Sequence, residues 1–279
     1  MDLTITLTRY KEPNWLFHES LLALSRQENI TASILVLDQF YNQETKEYIE
    51  TLSNNYLSFE YIVIEARSLS YARNQAISFC KTNILLYLDS DALPEKNWAF
   101  EMFTVFKKNK NIAIIGGKIV PKWHKKPLFL IKSDAIRDLY SLLDLWDQTF
   151  PNKKVVGANF GIHIWLLEKE AYFNENLWRS EWILLWWEET DLCKRAIAKN
   201  LIIMYVGSAI VVHQILPERI NVRWITKRLY WGWYGKYISW GTPGTSNKSK
   251  SLISKILLPI IAIPYAFWYT VSLIKHHSK

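Results

Sequence analysis

Short apolar runs rich in β-forming residues alternate with helix-like stretches, and this alternation constrains the fold more than any other feature of the chain. The runs have the length and composition of strands: ITLT at 4–7, ILVLD at 34–38, YIVIE at 61–65 and ILLYLD at 84–89. Helix-like stretches lie between them, at about 14–27, 43–55 and 70–81. Strands that are separated by single helices predict a mostly parallel sheet with both faces covered. We therefore expect an α/β fold.

Polar residues follow the predicted strands at the edge where open parallel sheets bind their ligands, beyond the carboxyl ends of the strands. The sequence places four residues there: Thr8, Asp38, Glu65 and Asp89. The second half of the chain has strand-like runs in a different arrangement, at 112–120, at 159–165 and as a pair within 201–214. These runs predict a smaller mixed sheet.

Composition and charge restrict the class of protein and its partners. Of the 279 residues, 49% are hydrophobic and 22% are charged, which is typical of a folded domain rather than a disordered chain. The net charge of +8 favours an anionic partner, whether nucleic acid, a membrane surface or a phosphorylated small molecule. Cys80 and Cys193 lie far apart without metal-ligand spacing, so neither a zinc site nor a disulfide framework is predicted.

The sequence Asp89-Ser90-Asp91 directly follows the run that predicts the fourth strand. A strand that ends here turns two carboxylates toward one small volume at the ligand-binding edge. Carboxylate oxygens with open coordination positions suit Mg²⁺ or Mn²⁺ shared with phosphate oxygens. A solvated turn is the alternative, but the position at a strand end favours a metal site.

A second acidic group, Glu188-Glu189-Thr190-Asp191, opens a predicted helix after an aromatic run. The helix dipole stabilises acidic residues in a first turn by about 0.3–1 kcal/mol each, so capping explains one or two of them. Three in four residues favour a catalytic role, in which one carboxylate takes the proton from an acceptor hydroxyl. Glu188, Glu189 and Asp191 all remain candidates for that base.

Arg73 and His213 have two interpretations each from the residues alone. Arg73 lies in the first turns of a helix that begins near Ser70, where a guanidinium is able to face a diphosphate; an exposed, capped helix start is the alternative. His213 ends the apolar run AIVVH, where a lone histidine is ordinarily a core or edge residue.

The order of these segments resembles family-2 glycosyltransferases of the GT-A fold. The resemblance covers about residues 3–215 and is carried by YARNQAI, LLYLDSDA, the stretch 157–174, EETDLCKRA and VVH. It implies a Rossmann-like, mostly parallel central sheet with flanking helices. It also implies an inverting enzyme that moves a sugar from a nucleotide diphosphate sugar to an acceptor hydroxyl. By the same resemblance Asp89 and Asp91 bind the Mn²⁺ or Mg²⁺ ion and the nucleotide diphosphate, and His213 is a further metal ligand.

The resemblance implies roles for the remaining candidates as well. Asp38 would hold the base or ribose, Arg73 would lie near the donor phosphates, and Thr8 belongs to the same donor-binding edge. The family usually has Glu-Asp before this helix, with the second residue as the base. Because this chain has Glu188-Glu189 there, Glu189 inherits the role of the base.

Two departures from the family pattern bear on the reaction. Gln39-Phe40-Tyr41 replaces the small polar turn that follows Asp38 in the family. Only Arg223-Trp224 remains of the QxxRW signature of processive members. We therefore expect transfer of one sugar rather than processive synthesis.

The chain divides into a catalytic domain at 1–217 and a C-terminal region. Within the domain, 1–120 is expected to bind the nucleotide sugar, and 121–217 to carry the acceptor site and the base. The stretch 218–251 is basic and aromatic and ends in the linker GTPGTSNKSKS, whereas 252–279 is apolar and membrane-associated. Its uncharged core, Ile256 to Ile274, would span about 28 Å as a helix, which is the scale of a membrane.

The expected partners and location follow from these features. The basic residues concentrate beside the apolar tail, which favours an anionic membrane surface over nucleic acid. The N-terminal residues do not have the pattern of a signal peptide, so we expect the catalytic domain at the cytoplasmic face of a membrane, acting on a glycan or lipid-linked glycan. Two rival functions are a sugar-phosphate nucleotidyltransferase and a non-catalytic binding protein on the same fold.

Overall fold

The chain folds around one mixed β-sheet with helices on both faces, as a computed structural model describes for residues 3–128, 137–175 and 188–240. The strands are β1 (Leu3–Arg9), β2 (Ala32–Asp38), β3 (Leu57–Val63), β4 (Ile84–Asp89), β5 (Ala92–Pro94), β6 (Ile112–Trp123), β7 (Thr149–Pro151), β8 (Asn159–His163) and β9 (Ile202–Ile215). The helices are α1 (Asn14–Ser25), α2 (Gln43–Glu50), α3 (Leu69–Phe79), α4 (Trp98–Lys108), α5 (Ile164–Leu167), α6 (Glu188–Ala198) and α7 (Val222–Trp240).

The order of the strands creates a ligand-binding crevice. It runs β3-β2-β1-β4-β8-β6-β9-β5, and β7 pairs with β9. The first four strands are mutually parallel, and β8 is antiparallel to both of its neighbours, β4 and β6. Because β1 lies between β2 and β4, the chain order reverses at β1, and ligands of α/β sheets bind at such a switch point, beyond the carboxyl ends of the strands.

The parallel half of the sheet is buried on both faces, which explains its nearly continuous apolar runs. Along β4, alternate residues enter two different hydrophobic clusters, one on each face. Leu86 belongs to the cluster that contains Phe17 of α1 and Trp98 of α4. Tyr87 belongs to the cluster that contains Ala76 of α3 and Leu192 of α6. Packing on both faces of the sheet therefore fixes the position of the carboxyl end of β4.

A third cluster joins helix α7 to the rest of the fold. It contains Ile119 of β6, Tyr140, Ile215 of β9 and, from the start of α7, Ile225. The first turns of α7, which lie in the stretch 218–251 predicted to be interfacial, pack on the domain because their apolar residues belong to this cluster.

Several element bounds differ from the sequence-based expectation for physical reasons. Strand β3 ends at Val63, in register with Asp38 of β2, so Glu65 lies beyond the strand, exposed and paired with Arg67. Helix α2 ends at Glu50, before a turn in which the Asn54 side chain accepts backbone hydrogen bonds. The predicted pair within 201–214 is one strand, β9, whose pairing with β6 shifts register beside Gly117 and Lys118.

The segment that is predicted to associate with a membrane is not among the described residues. Among the described residues, no helix combines the length and apolar character needed to cross a membrane. The apolar stretch 256–274 lies outside the described residues.

Candidate active site

A cavity of about 680 Å³ lies at the switch point of the sheet. Its walls include Thr8 at the end of β1, Asp89 at the end of β4, Gln39 after β2 and His213 in β9. A concave site of this size accommodates a small-molecule substrate. The structure thus places Thr8 and Asp89, both predicted to lie at the ligand-binding edge, in the wall of this cavity.

Backbone pairing holds Asp89-Ser90-Asp91 at the cavity wall. Asp89 is paired in register with Thr8 of β1, and Ala92 with His213 of β9. Between these strands the Asp91 carbonyl accepts the Gln214 N–H at 2.9 Å, and the Ser90 carbonyl accepts the Ser20 hydroxyl at 2.9 Å. The two carboxylates are thus placed by the sheet rather than by a mobile loop.

Asp89, Asp91 and His213 form a group able to hold a metal ion. One potential ligand atom from each residue lies within 4.8 Å of the others. Asp91 and His213 are buried, and Asp89 is partly exposed toward the cavity. Two carboxylates and an imidazole are typical ligands for a divalent cation of the Mn²⁺ type.

The tautomer of His213 is set by a backbone carbonyl. Its Nδ1 lies 2.9 Å from the Tyr140 carbonyl oxygen, and a carbonyl only accepts, so Nδ1 carries a proton. In the neutral imidazole Nε2 is then the basic nitrogen, and it faces Asp91 Oδ1 at 3.1 Å. The ring therefore presents its ligand nitrogen to the acidic pair.

Arg219 enters the same site, which the sequence analysis did not predict. Its Nη1 lies 3.0 Å from Asp91 Oδ2, and the side chain is about a quarter exposed to the cavity. Two further residues of the supposed interfacial region, Trp224 and Arg228, also line the cavity. Trp224 stacks on Tyr140 with ring centroids 4.8 Å apart. A cationic and aromatic wall from the C-terminal segment therefore faces the acidic cluster.

Arg73 lies behind the cavity instead of in it. Its guanidinium is paired with Glu189 Oε1 at 2.7 Å, Glu188 Oε1 at 3.2 Å and Asp89 Oδ1 at 3.5 Å. Burial alone would lower the pKa of Arg73, but these three carboxylates outweigh it, so its pKa is raised and the side chain stays charged. Arg73 is 2% exposed and is not among the described residues that line the cavity. Arg73 thus lies among carboxylates, one of which, Asp89, lines the cavity.

The three candidate bases differ in their surroundings. Glu188 and Glu189, at the start of α6, are buried beside Arg73. Glu189 bonds to Arg73 through Oε1, and within the described part of the chain its Oε2 has no hydrogen-bond partner. Asp89 is connected to this pair through the Arg73 guanidinium. Asp191 is instead paired with Arg195 at 2.9 Å, one helical turn away.

Asp38, which is predicted to hold the base or ribose of the donor, is bonded to other residues of the fold. Its Oδ1 accepts the Phe40 N–H, and its Oδ2 accepts from Arg9 at 3.3 Å and Tyr61 at 3.0 Å. The side chain is 1% exposed, and burial raises its pKa. The residues seen to line the cavity include Arg9 and Gln39 but not Asp38. Arg9, at the end of β1, is paired with the Asp38 carboxylate and lines the cavity.

Comparison with known proteins identifies the family. The model of glycosyl transferase family 2 matches residues 7–160, more than half of the chain. Glucosyl-dolichyl phosphate glucuronosyltransferase of Haloferax volcanii is 22% identical over 181 residues, which cover 62% of this chain and 56% of that protein. The chain thus spans about half the length of the curated relative it matches.

Solved structures share the fold at low sequence identity. The crystal structure of GalNAc-T7 with UDP, GalNAc and Mn²⁺ has a TM-score of 0.59 and 13% identity, covering 91% of this chain and 53% of that one. The structure of residues 1–349 of S. aureus TarS in complex with UDP has a TM-score of 0.54 and 15% identity, covering 82% and 65%. Both likenesses support the GT-A type of mixed sheet predicted from the sequence. From the family model, which matches more than half of the chain, we conclude that the chain belongs to glycosyl transferase family 2.

Proposed function

We propose that this chain is an inverting, metal-dependent glycosyltransferase that moves one sugar from a nucleotide diphosphate sugar to the hydroxyl of a glycan or lipid-linked glycan. The observation that carries the proposal is the Asp89, Asp91 and His213 cluster in a substrate-sized cavity at the switch point. A second support is the carboxylate of Glu189, which is joined to Asp89 through one guanidinium.

The residues present fit a divalent cation. Asp89 and Asp91 offer hard oxygen ligands, and the Tyr140 carbonyl leaves His213 Nε2 available as the third ligand. A mixed set of this kind favours Mn²⁺, with Mg²⁺ as the alternative. When bound, the cation neutralises charge on the departing nucleoside diphosphate.

Arg219 and Arg228 are assigned to the diphosphate of the donor. Both line the cavity, and Arg219 already touches Asp91, so its guanidinium lies where a cation-bound phosphate would arrive. A guanidinium binds phosphate oxygens through two parallel hydrogen bonds. These side chains stabilise the leaving group as negative charge builds on it.

Glu189 is assigned as the base. Its side chain is 9% exposed against 4% for Glu188, and its Oε1 lies closer to the Arg73 guanidinium, at 2.7 Å against 3.2 Å. In one displacement the acceptor oxygen forms the bond to the anomeric carbon and gives its proton to Glu189. The bond from that carbon to the phosphate oxygen breaks, and its electron pair leaves with the diphosphate, which inverts the anomeric configuration.

A lipid-linked acceptor at the cytoplasmic face of a membrane is supported by three features. The Haloferax volcanii relative is named for a dolichyl phosphate, which is a lipid phosphate. The sequence has a net charge of +8 and an uncharged apolar stretch at 256–274, flanked by Lys255 and Lys275. A basic segment and an apolar segment together give two membrane-anchoring signals.

The proposal is tested with detergent-purified protein, a panel of UDP- and GDP-sugars, Mn²⁺ and a lipid-phosphate acceptor. We expect release of nucleoside diphosphate from one donor, and NMR of the product should show the inverted anomer. Asp89→Asn and Asp91→Asn should abolish most of this release, whereas Asp147→Asn, at an aspartate that is 90% exposed, should not. Release of pyrophosphate, or full activity in the double variant Asp89→Asn with Asp91→Asn, would contradict the proposal.

A further inference from the structure

The buried guanidinium of Arg73 connects parts of the site that come from separate elements. Arg73 lies on α3, Asp89 ends β4, and Glu188 and Glu189 open α6. Arg73 Nη1 contacts both glutamates, and Nη2 contacts Asp89 and donates to the Gly157 carbonyl at 3.3 Å. One planar group thus contacts the proposed base and a proposed metal ligand at the same time.

Aromatic rings and charge balance keep this guanidinium in place. The Arg73 guanidinium carbon lies 5.3 Å from the centroid of Phe160 and 5.6 Å from that of Phe173. Its positive charge is surrounded by three carboxylates in a buried position. Removing one member of a buried ion pair leaves the others uncompensated, so these groups are held as a unit. The fixed fork of a guanidinium, unlike an ammonium, also sets the angle between its partners.

Gly157 provides the space that this arrangement requires. A Cβ at position 157 would lie far inside the van der Waals radius of Glu189 Oε1 and 2.5 Å from Arg73 Nη2. An alanine there would therefore displace the Arg73–Glu189 contact without changing any charge. This makes Gly157→Ala a probe of position alone.

We propose that Arg73 is a positioning residue that holds the Glu189 carboxylate in a fixed relation to the metal ligand Asp89, and that Gly157 is its structural partner. The inference rests on the proposed function, because it requires Glu189 to act as the base. It differs from a direct role for Arg73 in binding the donor, since the guanidinium is directed at three carboxylates, of which Asp89 lines the cavity. Displacing the Arg73–Glu189 contact should therefore slow the chemical step and leave donor binding unchanged.

The first test measures kcat, the donor KM and the affinity for UDP with Mn²⁺ in Gly157→Ala. We expect kcat to fall by about 10²-fold, since a shift of about 1 Å in a reacting group has an effect of that order. The donor KM and the UDP affinity should stay within about threefold, because a change confined to the transition state leaves ground-state binding intact. Gly116→Ala is the matched control, since the three atoms nearest to its Cβ would all belong to Val155, the first at 2.8 Å. It should lose stability but keep kcat within about threefold.

The second test is a double-mutant cycle with Arg73→Lys and Glu189→Gln. Lysine keeps the charge but not the fork, so Arg73→Lys alone should lower kcat, whereas in the Glu189→Gln background it should have almost no further effect. Full additivity, or weaker UDP binding with unchanged kcat in Arg73→Lys, would overturn the positioning role. Wild-type kcat in Gly157→Ala would do the same. Failure of the proposed function looks different: the wild-type protein itself would transfer no sugar.

Discussion

Arg219 offers the sharpest test of how the C-terminal segment contributes to the site. Its guanidinium lies 3.0 Å from Asp91 Oδ2, so without a donor it competes with a cation for that carboxylate. With a donor bound, the same guanidinium is placed to pair with the diphosphate. Arg219→Gln should therefore have opposite effects on two affinities: free Mn²⁺ should bind more tightly, and UDP in the presence of Mn²⁺ more weakly.

The size of the expected change in affinity follows from the contact between Arg219 and Asp91. A hydrogen bond between charged groups contributes about 1.5–3 kcal/mol, and the lower end applies because Arg219 is 24% exposed while Asp91 is 7% exposed. About 1.4 kcal/mol corresponds to a tenfold change in an equilibrium constant. We expect roughly a tenfold change in each direction, measured by isothermal titration calorimetry with Mn²⁺ alone and with UDP at saturating Mn²⁺.

The control for Arg219→Gln is Arg223→Gln, which removes the same charge from an exposed position at the start of α7. It should change both affinities by less than about twofold, because screened surface charges contribute little. Weaker binding of free Mn²⁺ by Arg219→Gln, or equal effects of the two variants, would refute the assignment of Arg219 to the site.

Three further predictions concern the base, the core and the membrane. Glu189→Gln should lower kcat by at least about 10²-fold and Glu188→Gln by less, in steady-state assays; the reverse order would make Glu188 the base. Asn159→Ala should lower the free energy of unfolding in urea by roughly 3 kcal/mol, because the buried Asn159 side chain forms hydrogen bonds with Trp98, Lys118 and Ala209. The control Asn152→Ala should lower it far less, because the Asn152 side chain bonds at an exposed position. Equal losses of stability in the two variants would contradict this prediction. The full chain should stay on anionic vesicles through a wash of about 0.5 M salt, whereas a chain ending at Lys250 should be released; a full chain that is soluble without detergent would contradict membrane anchoring.

The acidic half of the site could be predicted from sequence because its residues sit at element boundaries. Asp89 and Asp91 follow an apolar strand, and the carboxyl ends of parallel strands meet at one edge of the sheet. His213 needed the family resemblance, since a histidine that ends an apolar run has no ligand signature of its own. The structure brings its Nε2 to Asp91 because β5 and β9 pair at Ala92 and His213.

The basic half could not be predicted, since tertiary packing decides it. Arg219, Trp224 and Arg228 have the composition of a membrane-interface segment. The packing of Ile220 and Ile225 in the third cluster holds this segment against the domain, where the three residues line the cavity. Asp38 was expected to contact the donor, but no local pattern shows that Arg9, 29 residues earlier, engages its carboxylate.

The partners of Arg73 could not be predicted from the sequence either. Its partners Glu188 and Glu189 lie 115 and 116 residues away, so no helical or strand periodicity connects them. Gly157 is the sequence signal that was available: a glycine within the family-like stretch 157–174, at a position with no room for a Cβ. Such a glycine indicates a close approach of side chains but not which ones.

The central claim is that Asp89, Asp91 and His213 bind a divalent cation together with a nucleoside diphosphate. Electron paramagnetic resonance of Mn²⁺ titrated into the full chain, with and without UDP, tests it directly. The account predicts one Mn²⁺ per chain that binds more tightly when UDP is present, and loss of this site in Asp89→Asn, Asp91→Asn and His213→Ala. Mn²⁺ binding that is unaffected by UDP, or that is retained in all three variants, would contradict it.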